Sequence, residues 1–250
     1  MTLEVRELQT VAEEFGVSDE QVRRDHVISH LLALISNELA GDILFIGGTA
    51  LARTHLPHGR LSEDVDLIAR SPRGDVATAL DRLLPRGASR ATGTLHWNPS
   101  LSAVRDTDAA MLEGPHGIRL KVQLLRGEHH APWPMEQRSL HQRYSDAPGA
   151  TLSVPTRAAF AAWKTATWAD RKAPRDLWDL HALAGLGAID ADALHLYQRH
   201  GPTNRAPSPD LFRDSPREEA WREALAGQTR LSVTATEALA VVGHAWKLPE

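Results

Sequence analysis

Apolar residues recur every three to four positions in several stretches of the chain, a spacing that places them on one face of a helix. This pattern predicts helices over residues 3–15 and 18–39, the second of them capped by Ser18. The same pattern returns in the alanine-rich second half. There it predicts helices over residues 157–170, 176–186, 190–199, 217–226 and 234–243.

Short apolar runs predict strands between the helices of the first half. Residues 42–46 form a buried strand that ends at two glycines, and a helix is expected from about Thr49. The other predicted elements are strands over 61–69 and 118–125, a helix over 76–84, and one or two antiparallel strands within the glycine-punctuated stretch 88–117.

The predicted elements divide the chain into two regions and a connection. Residues 1–126 are predicted to form a small mixed β-sheet core with N-terminal helices, and residues 156–250 a mainly helical domain. Residues 127–155, rich in histidine and proline, are expected to connect them with little regular structure. The predicted fold class is therefore α+β.

Composition restricts the classes of protein that the chain can represent. The 250 residues are 42% hydrophobic and 24% charged, as in ordinary globular proteins. There is no cysteine, which excludes a disulfide framework, a thiolate nucleophile and a cysteine-ligated metal. The N-terminal residues do not resemble a secretory signal, and no apolar run is long enough to span a bilayer. We therefore expect a cytoplasmic protein with no membrane partner.

The formal net charge of −4 argues against a protein that holds nucleic acid through bulk positive charge. It leaves room for a local basic groove.

Two carboxylates within the predicted strand 61–69 are the first candidate for chemistry. Side chains alternate between the faces of a strand, so Ser62, Asp64 and Asp66 are expected on one face. Asp64 and Asp66 would then lie about 7 Å apart at their bases, close enough to converge on a divalent cation. The alternative is a solvated edge-strand face that discourages aggregation.

A glycine turn precedes these carboxylates. Gly47, Gly48 and Thr49 follow a buried strand, and such a turn can bring backbone N–H groups and a hydroxyl close to a phosphate. By itself Gly-Gly-Thr is weak evidence, since most such turns are only turns. Its combination with Asp-x-Asp some 15 residues later is much rarer.

These segments resemble a known family, the AbiEii/AbiGii nucleotidyltransferase toxins, a MenT-like branch of the DNA polymerase β-like superfamily. The resemblance rests on Gly47–Arg53, Arg60–Leu67 and Lys164–Leu180, touches Arg24-Asp25, and covers roughly residues 18–185. It implies a small mixed sheet and a helical domain that completes the active site. It also implies transfer of nucleotides from an NTP to tRNA, and a cognate antitoxin as partner.

The resemblance also implies roles for individual residues. Asp64 and Asp66 would hold Mg²⁺ or Mn²⁺, and the nucleotide would be bound by Gly47, Gly48, Thr49, Ser62, Lys164 and Arg171. Lys164, Asp176 and Asp179 would join the two metal ligands as catalytic residues. The alternatives are a solvated Lys164 and an Asp176 that merely favours the start of its helix.

One position departs from the superfamily pattern. Many polymerase β-like enzymes carry a third carboxylate on the strand that corresponds to residues 118–125, and the candidate position here is Gln123. An amide coordinates metals weakly and cannot take a proton. One firmly held metal is therefore the expectation, with the base supplied from elsewhere.

Neither of two close histidine pairs has a Glu or Asp at the spacing of a zincin motif. These pairs are His55 with His58 and His129 with His130. They are expected to be surface or loop histidines rather than ligands of zinc.

The leading hypothesis is a toxin that transfers a nucleoside monophosphate from an NTP to RNA, with the 3′ end of tRNA as the expected acceptor. One alternative changes the acceptor to a protein side chain or a small molecule. Another is a degenerate protein that binds nucleotide or RNA without turnover. The sequence leaves the preferred base, the acceptor species and the oligomeric state open.

Overall fold

The computed structural model describes residues 3–130 and 133–246, apart from the side chain of His129. These residues fall into two compact units. Unit 1 contains residues 3–130 and 136–154, and unit 2 contains residues 133–135 and 155–246.

Unit 1 begins with two helices and continues as a mixed sheet with intervening helices. Ser18 caps the second helix as predicted, since its hydroxyl accepts a hydrogen bond from the Gln21 N–H. The elements are α1 (Val5–Phe15), α2 (Asp19–Leu39), β1 (Ile43–Ile46), α3 (Gly47–Arg53), β2 (Asp64–Ala69), α4 (Arg73–Thr92), β3 (His96–Trp97), β4 (Ala110–Glu113) and β5 (Arg119–Arg126).

The five strands form one sheet in the order β1-β2-β5-β4-β3. Strand β2 runs antiparallel to β1 and parallel to β5, and the remaining pairs are antiparallel. The register places Asp66 opposite Ile46 of β1 on one side and opposite Gln123 of β5 on the other. The mixed sheet with a helical second unit confirms the predicted fold class.

Residues 127–155 contain more regular structure than their proline content predicts. Strands β6 (Met135–Ser139) and β7 (Thr151–Pro155) pair in a second sheet. The described prolines lie outside these strands or at the last position of β7, where the missing N–H removes no interior ladder bond. Pro132 lies outside the described residues.

Helix α4 is longer than predicted because it continues through Pro85. A proline inside a helix leaves the carbonyl four residues earlier without its usual N–H donor. Here that carbonyl belongs to Asp81, and the indole N–H of Trp97 donates to it at 3.2 Å. A side chain from β3 thus replaces the hydrogen bond that Pro85 cannot make.

Unit 2 is helical, and each predicted helix forms within about two residues of its expected bounds. The helices are α5 (Arg157–Arg171), α6 (Pro174–Gly185), α7 (Ala191–His200), α8 (Glu218–Leu225) and α9 (Ala235–Ala245). Two fully buried tryptophans stabilise this unit: Trp168 donates to the Leu211 carbonyl and Trp221 to the Val233 carbonyl. Each buried indole N–H is therefore satisfied.

No helix among the described residues is both long enough and apolar enough to cross a membrane.

Candidate functional site

In unit 1 a glycine turn directly follows β1. Helix α3 begins at Gly47, two residues earlier than predicted, and Gly47 has a φ of +77°. A Cβ atom at this position would lie 2.1 Å from Oδ2 of Asp66. Both the backbone conformation and the space taken by the carboxylate therefore require glycine here.

Asp64 and Asp66 occupy one face of β2, as the alternation predicts. Both are half-buried, whereas Val65 and Leu67 between and beyond them are buried on the opposite face. Because Asp66 lies against Gly47, the carboxylate pair and the glycine turn form one continuous surface.

Ser62 lies near this surface, but it is not part of strand β2 as predicted. Strand β2 begins at Asp64, so the expectation that Ser62 shares its strand face is wrong. The pairing of β2 begins at Asp64 with β5 and at Asp66 with β1, so residues 61–63 are outside the ladder. Ser62 nevertheless approaches the glycine turn, since its Oγ lies 3.2 Å from the place of a Cβ on Gly48.

Arg60 is a site residue to which the sequence analysis assigned no role. Its Nη2 lies 2.6 Å from the place of a Cβ on Gly48, although the residue is only 4% exposed. A buried guanidinium therefore lies against the backbone of the glycine turn. The only sequence signal was its place at the start of Arg60–Leu67.

Thr49 is buried, and its hydroxyl donates a hydrogen bond to the main-chain carbonyl of Asp64. This bond joins the first turn of α3 to the start of β2. In the structure the hydroxyl therefore positions the backbone that carries the first carboxylate.

Gln123 lies beside Asp66 on the neighbouring strand, as expected for the third acidic position. Its side-chain amide donates to the Thr107 carbonyl at 2.8 Å. The amide group is thus anchored to a loop of unit 1.

A buried ion pair fixes the end of α3 against α2. Nη2 of Arg53 lies 2.9 Å from Oδ1 of Asp25, and the Tyr144 hydroxyl donates to Oδ2 of the same carboxylate at 3.0 Å. Burial lowers the pKa of Arg53 to about 10, with Asp25 opposing the shift, so the guanidinium is charged at neutral pH.

In unit 2 a second buried cluster surrounds Lys164. Its Nζ lies 2.9 Å from Oδ1 of Asp176 and 2.7 Å from Oδ2 of Asp179. Arg171 also binds Asp176 with two hydrogen bonds, of 2.7 and 3.0 Å. Lys164 is 9% exposed, so the alternative of a solvated lysine is wrong.

The charges in this cluster keep Asp176 ionised despite its burial. Burial by itself would raise the pKa of Asp176, but attraction to Lys164 and the hydrogen bonds and charge of Arg171 outweigh it. The pKa therefore lies below its usual value. A depressed pKa stabilises the fold at pH values above about 4, and this contribution is lost as the pH falls through the folded-state pKa.

Comparisons with known proteins identify the family of the chain. The sequence matches a family model described as "Nucleotidyl transferase AbiEii toxin, Type IV TA system" over residues 30–241, which is most of the chain. The chain belongs to the AbiEii nucleotidyltransferase toxins. It is therefore a nucleotidyltransferase of a toxin–antitoxin system, a class that implies a nucleotide substrate and an antitoxin partner.

Solved structures support the fold of this AbiEii toxin. MenT4, the nucleotidyltransferase toxin Rv2826c from Mycobacterium tuberculosis H37Rv, aligns with a TM-score of 0.69 and 20% identity, over 96% of this chain and 88% of MenT4. A nucleotidyltransferase described as putative, from H. pylori, aligns with a TM-score of 0.54 and 14% identity, over 92% and 95% of the two chains. No curated protein matches the sequence.

Within each unit, the AbiEii toxin brings together most of the residues that the sequence singled out. Unit 1 gathers the glycine turn, Ser62 and the two strand carboxylates. Unit 2 gathers Lys164, Arg171, Asp176 and Asp179.

His55 meets the expectation of a surface or loop histidine, because it lies in the turn after α3, but it is buried. His55 is 8% exposed, and its Nε2 lies 3.5 Å from Glu136, so it is not a surface residue. His58 is exposed beside Glu14, as expected, and the side chain of His129 lies outside the described residues.

Replacing Gly47 with alanine tests the close approach of the Asp66 carboxylate to this glycine. The Gly47→Ala change forces a Cβ against Asp66 at a positive φ, and we expect it to lower the free energy of unfolding by more than about 1 kcal/mol. Gly41→Ala is the matched control, because no atom lies within 4 Å of its Cβ position. Equal urea-unfolding midpoints for the two variants would contradict this geometry.

Lys164→Ala tests whether the buried cluster of unit 2 depends on its lysine. The change removes the ammonium that binds both Asp176 and Asp179, and we expect a loss of about 3 kcal/mol in the free energy of unfolding. The exposed residue Arg157 begins the same helix, so Arg157→Ala should change stability by less than about 0.5 kcal/mol. If the Lys164→Ala protein unfolded at the same urea concentration as the native protein, the buried cluster would not depend on its lysine.

Proposed function

We propose that this toxin transfers a nucleoside monophosphate from an NTP to RNA, at the 3′ end of tRNA, with the help of a divalent metal. The observation that carries the proposal is the joint surface of Gly47, Asp64 and Asp66. It places two carboxylates on one strand face, and the carboxylate of Asp66 lies directly against the glycine turn. The family supplies the reaction class, while the metal and the acceptor are our own inference.

The two carboxylates fit a hard divalent cation. They lie two residues apart on one face, are half-buried, and offer only oxygen ligands, which suit Mg²⁺ or Mn²⁺. When bound there, such an ion would neutralise triphosphate charge and polarise the phosphoryl group. Asp66 is held in place by the turn, and Asp64 by the bond from Thr49 to its carbonyl.

The nucleotide phosphates belong, in this proposal, beside Gly47 and Gly48. Asp66 fills the space of the missing side chain at Gly47, so an anion at this turn would meet the side of Gly48 on which Arg60 lies. Arg60 supplies a buried positive charge at this point, and the Ser62 hydroxyl lies on the same side of Gly48. This arrangement suits phosphate better than a neutral ligand.

In unit 2, we propose Lys164 and Arg171 as nucleotide-binding residues. Asp176 and Asp179 hold the Lys164 ammonium at 2.9 and 2.7 Å, so we assign them the role of positioning it. A compact ammonium fits the charge that develops on the departing pyrophosphate.

The transfer itself forms one bond and breaks one. The acceptor hydroxyl attacks the α-phosphorus, the bond to the β-phosphate breaks, and pyrophosphate leaves. Gln123 cannot take the hydroxyl proton, because an amide is not a base at neutral pH. The proton must therefore pass to another group or to solvent.

The direct test is to incubate the toxin with each α-labelled NTP, Mg²⁺ and total RNA. We expect label on RNA of tRNA size with the native chain. The Asp66→Asn variant should lose more than about a hundredfold in rate, because the amide cannot replace a charged metal ligand. Asp19→Asn, an exposed aspartate at the start of α2, should leave the rate unchanged.

The other outcomes identify the competing functions. Label on protein or on a small molecule would move the acceptor away from RNA. Nucleotide binding without any labelled product would indicate a degenerate binding protein. Transfer that survives exhaustive EDTA treatment, or an Asp66→Asn protein with native rate, would disprove the metal-dependent mechanism.

A further inference from the structure

A cluster of two histidines and an aspartate lies in unit 1 and shares no residue with the proposed nucleotide site. His26 and His30 are four residues apart on α2, so their side chains lie on one face of the helix. Asp146 comes from the loop between β6 and β7. The side chains of His26, His30 and Asp146 are only 5%, 10% and 6% exposed.

The ligand atoms of this cluster converge on one point. Nε2 of His26 lies 2.9 Å from Oδ1 of Asp146 and 3.2 Å from Nε2 of His30. Nε2 of His30 lies 3.4 Å from Oδ2 of Asp146. Among the described residues, this is the one place where three His, Asp or Glu ligand atoms lie within 4.8 Å of one another.

The N–H groups of the two histidines are too few to satisfy all the hydrogen-bond acceptors in this cluster. Oδ2 of Asp146 is buried and accepts no hydrogen bond from the described residues. A proton on Nε2 of His26 serves either Asp146 or His30. If both rings carried a proton on Nε2, two N–H groups would face each other across 3.2 Å. A cation at the centre would satisfy all three residues at once.

We propose that His26, His30 and Asp146 bind a zinc ion. Zinc takes imidazole nitrogen at about 2.0–2.1 Å and carboxylate oxygen at about 2.0–2.2 Å, so the ligand atoms of a tetrahedral site lie about 3.3 Å apart. The three separations in the cluster, 2.9, 3.2 and 3.4 Å, are close to that value. The fourth position would be taken by water.

The chemistry of the ligands distinguishes this site from the proposed magnesium site. Two imidazoles and one carboxylate suit zinc and its neighbours among the transition metals, whereas magnesium prefers oxygen ligands throughout. Asp64 and Asp66 offer only oxygen. The toxin would therefore carry two metal sites of different chemistry in unit 1.

The position of the cluster indicates a structural role. The loop that carries Asp146 already contacts α2 through Tyr144, which donates to Asp25, and through Gln142, which donates to the Ser29 carbonyl at 3.1 Å. Zinc would add a third attachment of the loop to the same helix. It would thereby hold Tyr144 on the carboxylate that pairs with Arg53.

Zinc titration of the chelator-stripped protein tests the site. With a chromophoric chelator as competitor, we expect one tightly bound Zn²⁺ per chain. His30→Gln and Asp146→Asn should each weaken binding at least tenfold, because even the loss of a group that only supports a ligand costs about 10–100-fold. The control is His58→Gln, an exposed histidine of the same unit that faces Glu14, which should bind Zn²⁺ as the native chain does.

A second measurement tests the site without any variant, in case the variants fail to fold. In the native protein alone, the melting temperature should rise on adding stoichiometric Zn²⁺ and stay unchanged with the same amount of Mg²⁺. Co²⁺ bound in place of zinc should show the strong visible absorption of a tetrahedral site. Absence of Zn²⁺ binding by the native chain, or equal affinity in the His30→Gln and His58→Gln proteins, would show that the cluster is a hydrogen-bond network only.

Discussion

The close approach of Asp66 to Gly47 is the constraint on which the proposed nucleotide site depends. The carboxylate occupies the space in which any other residue would place its Cβ. The antiparallel register sets Ile46 opposite Asp66, so the chain must turn into α3 immediately beside the carboxylate. Glycine alone allows both the turn and the approach. Thr49 then ties the first turn of α3 back to the carbonyl of Asp64.

Buried ion pairs hold the surrounding elements in both units. In unit 1 Arg53 pairs with Asp25, and in unit 2 Lys164 lies between Asp176 and Asp179. Taking such charges out of water costs several kcal/mol for each ion, which good geometry only offsets. These pairs therefore add little net stability relative to a packed apolar core. Their effect is to fix the position of α3 against α2 in unit 1 and of the Lys164 ammonium in unit 2.

The sequence predicted the parts of the molecule that local patterns determine. Alternation placed Asp64 and Asp66 on one face, and helical spacing located the elements of unit 2. Ser62 was misplaced because the start of β2 depends on where its pairing with β1 and β5 begins, which the local pattern does not contain. The predicted helix ended before Pro85 because the hydrogen bond that replaces the missing proline N–H comes from Trp97, on a different element.

The histidine cluster was missed for a related reason. His26 and Asp146 are 120 positions apart, and no spacing rule joins them. The place of Arg60 beside Gly48 likewise depends on a contact between separate segments of the chain.

The central claim is that Asp64 and Asp66 hold the metal that serves the nucleotide. Anomalous diffraction from a crystal grown with Mn²⁺ and a non-hydrolysable NTP measures this directly. We predict a manganese peak about 2.0–2.3 Å from carboxylate oxygens of both residues, with the triphosphate beside Gly48. A nucleotide bound elsewhere, or a manganese ion that contacts neither carboxylate, would contradict the account.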